Sequence, residues 1–116
     1  MIGRFACSSD SKRMEVRAPN TDIEFEAYYE LRWRVLRMPW GEDRGTEYDE
    51  HEEKATHVAA FDDSKNLVGV GRLQLVEMNV GQVRYMAVEP GFRKQGVGQS
   101  ILFQLEKKAR EQGMKA

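Results

Sequence analysis

One stretch constrains the fold of this chain more than any other: Val83-Arg84-Tyr85-Met86-Ala87-Val88-Glu89-Pro90-Gly91-Phe92-Arg93-Lys94-Gln95-Gly96-Val97-Gly98. It reads as a buried strand, a short Glu-Pro turn, and a glycine-spaced loop opening a helix that runs to about Gln112. The first N–H groups of a helix have no intrahelical partner, and the macrodipole places partial positive charge there. A strand feeding a helix start through glycines is therefore a device for holding an anion. Gly96 and Gly98 carry no side chain to keep a phosphate from those N–H groups, and Arg93 and Lys94 add charge at the rim. The stretch reads as a pyrophosphate cradle. An ordinary strand-to-helix turn would leave the paired cations unexplained.

Spacing narrows the kind of cradle. No G-x-x-x-x-G-K-[ST] run exists in the sequence. A dinucleotide fingerprint would need a third glycine where Ile101 stands, and an acidic residue about twenty positions on. What remains is Arg93, two residues, Gly96, one residue, Gly98, after an apolar strand and a Glu-Pro turn. This resembles the pyrophosphate-binding motif of the GNAT superfamily of acyl-CoA-dependent N-acyltransferases. The resemblance extends to Met86-Ala87-Val88, where the family's central strand ends, and to Ile101, Leu102, Leu105, Glu106 and Ala109, where its following helix packs on the sheet.

The rest of the chain is compatible with one small domain. At 116 residues, 41% hydrophobic and 32% charged, it has the composition of an ordinary globular protein. A net charge of -1 gives no drive toward nucleic acid, and the aromatics are not interleaved with a basic patch. No apolar run approaches the roughly 18 residues that span a bilayer, and the N-terminus is too short in apolar residues for a secretory signal. The single cysteine, Cys7, reads as an incidental thiol, which makes a reducing cytoplasm the default location. His51 and His57 match no standard metal-ligand spacing, so no metal site is expected.

Residues 1–13 read as a loose leader, and 14–116 as the domain. Glu15 to Ala18 is a short strand ended by Pro19. Thr21 and Glu24 fit a capping box that opens a helix with Ile23, Ala27, Leu31 and Val35 as its apolar stripe, broadened by Phe25, Tyr28 and Tyr29; Pro39 ends it. Seven acidic residues between Glu42 and Glu53 stand against Arg44 alone. They read as a solvated loop, or else as a negative field that attracts a cationic amine. Thr56–Phe61, Leu67–Met78 and Gln82–Val88 read as an antiparallel meander, joined by turns at 62–66 and Asn79-Val80-Gly81. The middle strand puts Leu67, Gly69, Gly71, Leu73 and Leu75 on one face; its glycines mark a bulge or a close approach. The last strand, apolar on both faces, is expected to be central and covered on both sides. Val97, Ile101, Leu102, Leu105 and Ala109 form the buried stripe of the closing helix, which Gly113 caps.

The resemblance implies an α+β fold, a mixed, mostly antiparallel sheet flanked by helices on both faces, truncated after about two thirds of the family's domain. It implies transfer of an acetyl group from acetyl-CoA to a primary amine of a small molecule or peptide. Backbone groups of Met86, Ala87 and Val88 would pair with the pantetheine arm. Gln95, Gly96, Val97, Gly98 and Gln99 would hold the pyrophosphate, assisted by Arg93 and Lys94. Trp33, Arg37 and Trp40 would line the acceptor pocket. Glu53, His57 and Tyr85 are alternatives for the proton-handling group, and the sequence does not choose among them. The family's later strand and helix would lie beyond Ala116, leaving the last strand as an open edge. A second copy pairing along that edge, as a homodimer, is one way to cover it. A CoA-binding module without turnover, or an inactive fragment of a longer acyltransferase, is the alternative to an active enzyme.

Overall fold

The computed structural model describes residues 14–114; the expected leader, Cys7 and the last two residues lie outside the described residues. Among the described residues there are four strands and two long helices: β1 Glu15–Arg17, α1 Asp22–Leu36, β2 Thr56–Phe61, β3 Leu67–Glu77, β4 Val80–Val88 and α2 Val97–Glu111. One-turn 3-10 segments follow α1 (Met38–Trp40) and precede α2 (Pro90–Phe92). The sheet runs in the order β1-β2-β3-β4, every neighbour antiparallel. Neither helix among the described residues is long and apolar enough to cross a membrane.

Strand alternation sends side chains to two cores. On one face Val58, Ala60 and Leu73 meet Val97, Ile101, Leu105 and Ala109 of α2. On the other Ala59, Phe61, Val70 and Ala87 meet Tyr28 and Leu31 of α1. The expected α2 stripe is completely buried except at Leu102, which is exposed. The glycines of β3 have a definite cause. A Cβ on Gly69 or Gly71 would stand 2.7 Å from the Ile101 side chain, so α2 seats directly on bare backbone. The close approach is by side chains of α2, not by another backbone. A bulge between Ala60 and Phe61 carries Leu67 to the α1 face, away from Leu73, while Leu75 borders one hollow with Leu73 but is exposed.

Caps fix both helix ends. Thr21 Oγ1 accepts from Glu24 N at 3.1 Å, as expected of an N-cap. Glu24 does not close the box on Thr21; it accepts from Asn20 N and grips Arg17 with both oxygens, tying β1 to α1. Ile23 is exposed, so the α1 stripe is centred on Tyr28, Leu31 and Arg32 instead. At the end of α2, Gly113 is left-handed; its N–H reaches Arg110 O and Met114 N–H reaches Ala109 O, a Schellman closure. The β3–β4 turn is tighter than expected: Val80 already pairs with Glu77, leaving Met78 and a left-handed Asn79 to turn the chain. β4 lies at the edge of the sheet among the described strands rather than at its centre, although α1 and α2 cover its two faces near Ala87 and Met86.

Candidate functional site

The strand, turn and glycine-opened helix lie where the sequence places them. Glu89 is drawn to α1 by two hydrogen bonds from Arg34, at 2.8 and 2.6 Å, and its N–H pairs with Val68 O. Arg34 holds the Glu89 carboxyl below the usual range. That clamp fixes the exit of β4, and Pro90–Phe92 then turns the chain toward α2. Lys94 and Gly96 both adopt left-handed backbone, and Gly96 is the N-cap of α2 with no side-chain oxygen over the helix mouth. The first N–H groups of α2, those of Val97, Gly98 and Gln99, therefore have no capping acceptor. They open onto a hollow of about 390 Å³ lined by Val88, Phe92, Arg93, Lys94, Gly96, Gly98 and Gln99. Arg93, Lys94, Gln95 and Gln99 are exposed, with Gln95 turned back to Gly91 O at 3.2 Å. Bare glycines, two rim cations and uncapped amides fit a pyrophosphate.

Beside the cradle, β4 is irregular. Val70 pairs with Ala87 and Arg72 with Arg84, so Tyr85 and Met86 together oppose Gly71. This is a β-bulge. Tyr85 carries it with a φ of 57°, a left-handed conformation unusual for so bulky a residue. Such strain persists only where surrounding contacts hold it. Here they do. Two guanidinium groups lie against the ring, Arg32 at 4.6 Å and Arg72 at 4.5 Å from its centroid, and its hydroxyl donates to Asp49 Oδ2 at 3.2 Å. Arg72 is fully buried and donates to both oxygens of Asp49, to Glu52 Oε2 at 2.7 Å and to Gln74. Arg32, equally buried, donates to the same Glu52 oxygen at 2.8 Å and to Glu47 O. Arg72 holds the Asp49 carboxyl far below the usual carboxylate range.

The acidic loop is thus not simply solvated. Glu47 is fully buried, and Asp49 and Glu52 fold inward onto arginines from α1 and β3. Sequence reasoning misses Arg32, Arg72, Asp49, Glu52 and Gln74. Two signals point to them: Arg72 is a charge inside the apolar run from Leu67 to Leu73, and Arg32 follows Tyr28 by one helical turn on the buried stripe.

The candidate proton-handling residues come out differently from one another. Glu53 is exposed on the loop, and its neighbour Glu52 is the carboxylate that enters the network. His57, opposite Arg72 in the sheet, donates from Nε2 to Glu52 O at 2.8 Å, and its Nδ1 stands 2.8 Å from Tyr28 Oη, a hydroxyl that also lies 3.0 Å from Gly71 O. Burial lowers its pKa from 6.5 and keeps it neutral. Burial also pushes the Tyr28 and Tyr29 hydroxyls well above their ordinary range. Tyr85 lies on the α1 face, with its hydroxyl committed to Asp49. Of the three acceptor-pocket candidates, Arg37 reaches this place, 5.8 Å from the Tyr85 ring. Trp33 ties α1 to the loop through Glu42 O, and Trp40 is 80% exposed.

Comparison with known proteins agrees with this geometry. Residues 25–116 match the family model described as the acetyltransferase (GNAT) family. An acetyltransferase of the GNAT family from Staphylococcus aureus Mu50 superposes with a TM-score of 0.73 at 19% identity, over 87% of this chain and 68% of that one. An aminoglycoside 6'-N-acetyltransferase complexed with coenzyme A gives 0.67 at 24%, over 87% and 57%. The ribosomal-protein-S18-alanine N-acetyltransferase from Escherichia coli gives 0.65 at 18%, over 87% and 62%. The chain therefore spans between 57% and 68% of the length of these structures. With the sheet, the uncapped glycine mouth and the family match in agreement, this chain belongs to the GNAT acetyltransferase family.

Proposed function

We propose that residues 14–116 form the acyl-CoA-holding part of an N-acetyltransferase that moves an acetyl group from acetyl-CoA to a primary amine. One observation carries the reading: the α2 mouth, uncapped at Gly96, opens onto the hollow rimmed by Arg93 and Lys94. The amides of Val97, Gly98 and Gln99 would hold the pyrophosphate, and Arg93 and Lys94 would neutralise it. The outer edge of β4 at Met86–Val88 offers backbone groups to a pantetheine arm, in the manner of an added strand. Acetyl-CoA would supply an activated thioester.

The bulge would do the rest. A strand residue displaced from its ladder leaves an N–H without a strand partner, and at Tyr85–Met86 it would lie beside the thioester carbonyl and stabilise developing negative charge. In the transfer, a bond forms between the amine nitrogen and the acetyl carbon, the carbon–sulfur bond breaks, and the thiol departs. The surplus amine proton passes to a base or to water. Asp49 is too weak a base for this, because its ionised form is so strongly favoured.

A second reading, CoA binding without turnover, rests on the state of His57. Both its ring nitrogens are engaged inside the fold. Calorimetric titration with CoA and a thiol-release assay separate the two, since a binding module takes up CoA but frees no thiol from acetyl-CoA.

Gly98→Asp tests the cradle itself. A Cβ at Gly98 would meet Met86 and Val88 side chains at 3.8 Å, an ordinary contact, so the fold accepts it. A carboxylate in the first turn of α2 stabilises the helix by about 0.3–1 kcal/mol while occupying the phosphate site. Thermal stability should hold or rise while CoA affinity disappears. Retained affinity would remove the cradle.

A further inference from the structure

Four guanidinium groups surround one tyrosine. Arg32 and Arg72 stack against the Tyr85 ring, and Arg84 and Arg37 stand 5.6 and 5.8 Å from its centroid. The first two are fully buried and share Glu52, and Arg72 also holds Asp49. The other two are not neutralised in the same way. Arg84 is exposed and makes no ion pair among the described residues. The nearest carboxylate to Arg37 is Glu42, at 3.7 Å, too far for a good hydrogen bond, and the Arg37 Nε is buried without a partner.

The charge balance beside the bulge is therefore positive, with four cations against three carboxylates even when Glu42 is counted. Asp43, Glu50 and Glu53, the other acids of the loop, are exposed, and the last two line a hollow with Tyr48, Lys54, Asp49 and Glu52 that none of Tyr85, Arg37 and Arg84 lines. A polyamine approaching Tyr85 would meet repulsion. An amine carrying its own carboxylate would meet the Arg84 fork, in no ion pair among the described residues, and the Arg37 fork, whose Nε has no partner; such forks bind carboxylates with paired hydrogen bonds.

We propose that the acceptor is a carboxylate-bearing amine of the amino-acid class, its carboxylate held between Arg37 and Arg84 while its amine faces the bulge at Tyr85. The assignment rests on the acyl-transfer reading and reverses the attraction that the acidic loop suggests. It makes Arg37 and Arg84 specificity-determining residues, with the rim cations Arg93 and Lys94 left to the cofactor.

The test is a thiol-release assay with acetyl-CoA and the standard amino acids, each paired with its carboxamide, with spermidine as the cationic control. At least one amino acid should exceed its carboxamide in kcat/KM by about tenfold or more, and spermidine should lie below both. In Arg84→Gln and Arg37→Gln that ratio should collapse toward one, with the loss in KM rather than kcat. A binding readout covers the case of no turnover. With CoA bound, the same amino acids should shift the Nε–Hε resonances of Arg37 and Arg84 saturably, and their carboxamides should not. A preference for spermidine, equal use of acid and amide, or unmoved arginine resonances overturns the proposal. If CoA itself fails to bind the cradle, the fault lies with the acyl-transfer reading, and the CoA titration shows which has failed.

Discussion

The two faces of the sheet are built on opposite principles. Beneath α2 the contact is apolar throughout: Val97, Ile101, Leu105 and Ala109 press on Val58, Ala60, Leu73 and the bare backbone of Gly69 and Gly71. Beneath α1 an apolar patch around Leu31 and Ala87 gives way, toward the bulge, to a buried layer of Arg32, Arg72, Glu47 and Gln74 closed over by Asp49 and Glu52. The α2 face is held by area removed from water, roughly 2 kcal/mol for each fully buried large aliphatic chain. The α1 face near the bulge is held by reciprocal satisfaction, because a buried charge is tolerable only while its partners stay in place. A polar layer of this kind costs more to build than an apolar one. What it supplies is direction: it sets two planar cations against Tyr85 and holds a backbone conformation that packing alone would not select.

Removing one member of that layer should produce the largest effect of any single change. Arg72→Met keeps most of the side-chain volume but leaves Asp49 and Glu52 facing each other without their shared cation. Breaking a buried pair costs about 3–5 kcal/mol; Asp49 retains 20% exposure, which favours the lower end, near 3 kcal/mol. Urea unfolding measures it. A loss below about 1 kcal/mol would mean that these are ordinary surface pairs, and the contrast between the faces would fail.

The matching assault on the apolar face is Gly71→Ala. The new methyl would stand 2.7 Å from Ile101 Cγ2 and 2.9 Å from Leu105 Cδ1, in a region with no free volume to accept it. Overpacking of this sort costs about 1–3 kcal/mol. The cause is checked in an Ile101→Ala background, where the same change should cost clearly less, because the nearer obstruction is gone and the Leu105 side chain can shift into the space left. Equal costs in both backgrounds would show that the glycine serves the strand backbone rather than the seat of α2.

The same contrast decides how much of each face is legible in the sequence. The α2 face is a periodic pattern meeting a periodic pattern, so the three-strand meander, the helix stripe, the glycine-opened start of α2 and the Gly113 closure can all be read from spacing. The α1 face is not periodic. Its partners come from α1, from β3 and from a loop between them, and nothing in the spacing of Arg32, Asp49, Glu52 and Arg72 announces that they meet. Counting charges along the chain gives the loop only Arg44 as a partner, because the cations that answer it lie far away in sequence. For the same reason sequence reasoning selects Glu53 in place of Glu52: one residue of loop conformation decides which carboxylate turns inward.

The smallest effect concerns His57, which lies under the polar layer and reports on its electrostatics. Facing it are Tyr28 from α1, the Glu52 carbonyl and carboxylate from the loop, and the cations Arg32 and Arg72. Burial, aided by those cations, lowers its pKa from 6.5, so between the folded value and 6.5 the unfolded chain binds more protons than the folded one. Stability must therefore rise with pH across that window and fall as pH drops below 6.5. The lowered carboxyls, Asp49 with Arg72 and Glu89 with Arg34, act the same way but only further down, where they begin to protonate. Two separate limbs are expected in a plot of urea midpoint against pH, and His57→Gln should flatten the upper one alone, since an amide can donate and accept without titrating. An unchanged upper limb in that variant would place the imidazole in water, and with it would go the claim that this face of the sheet is closed.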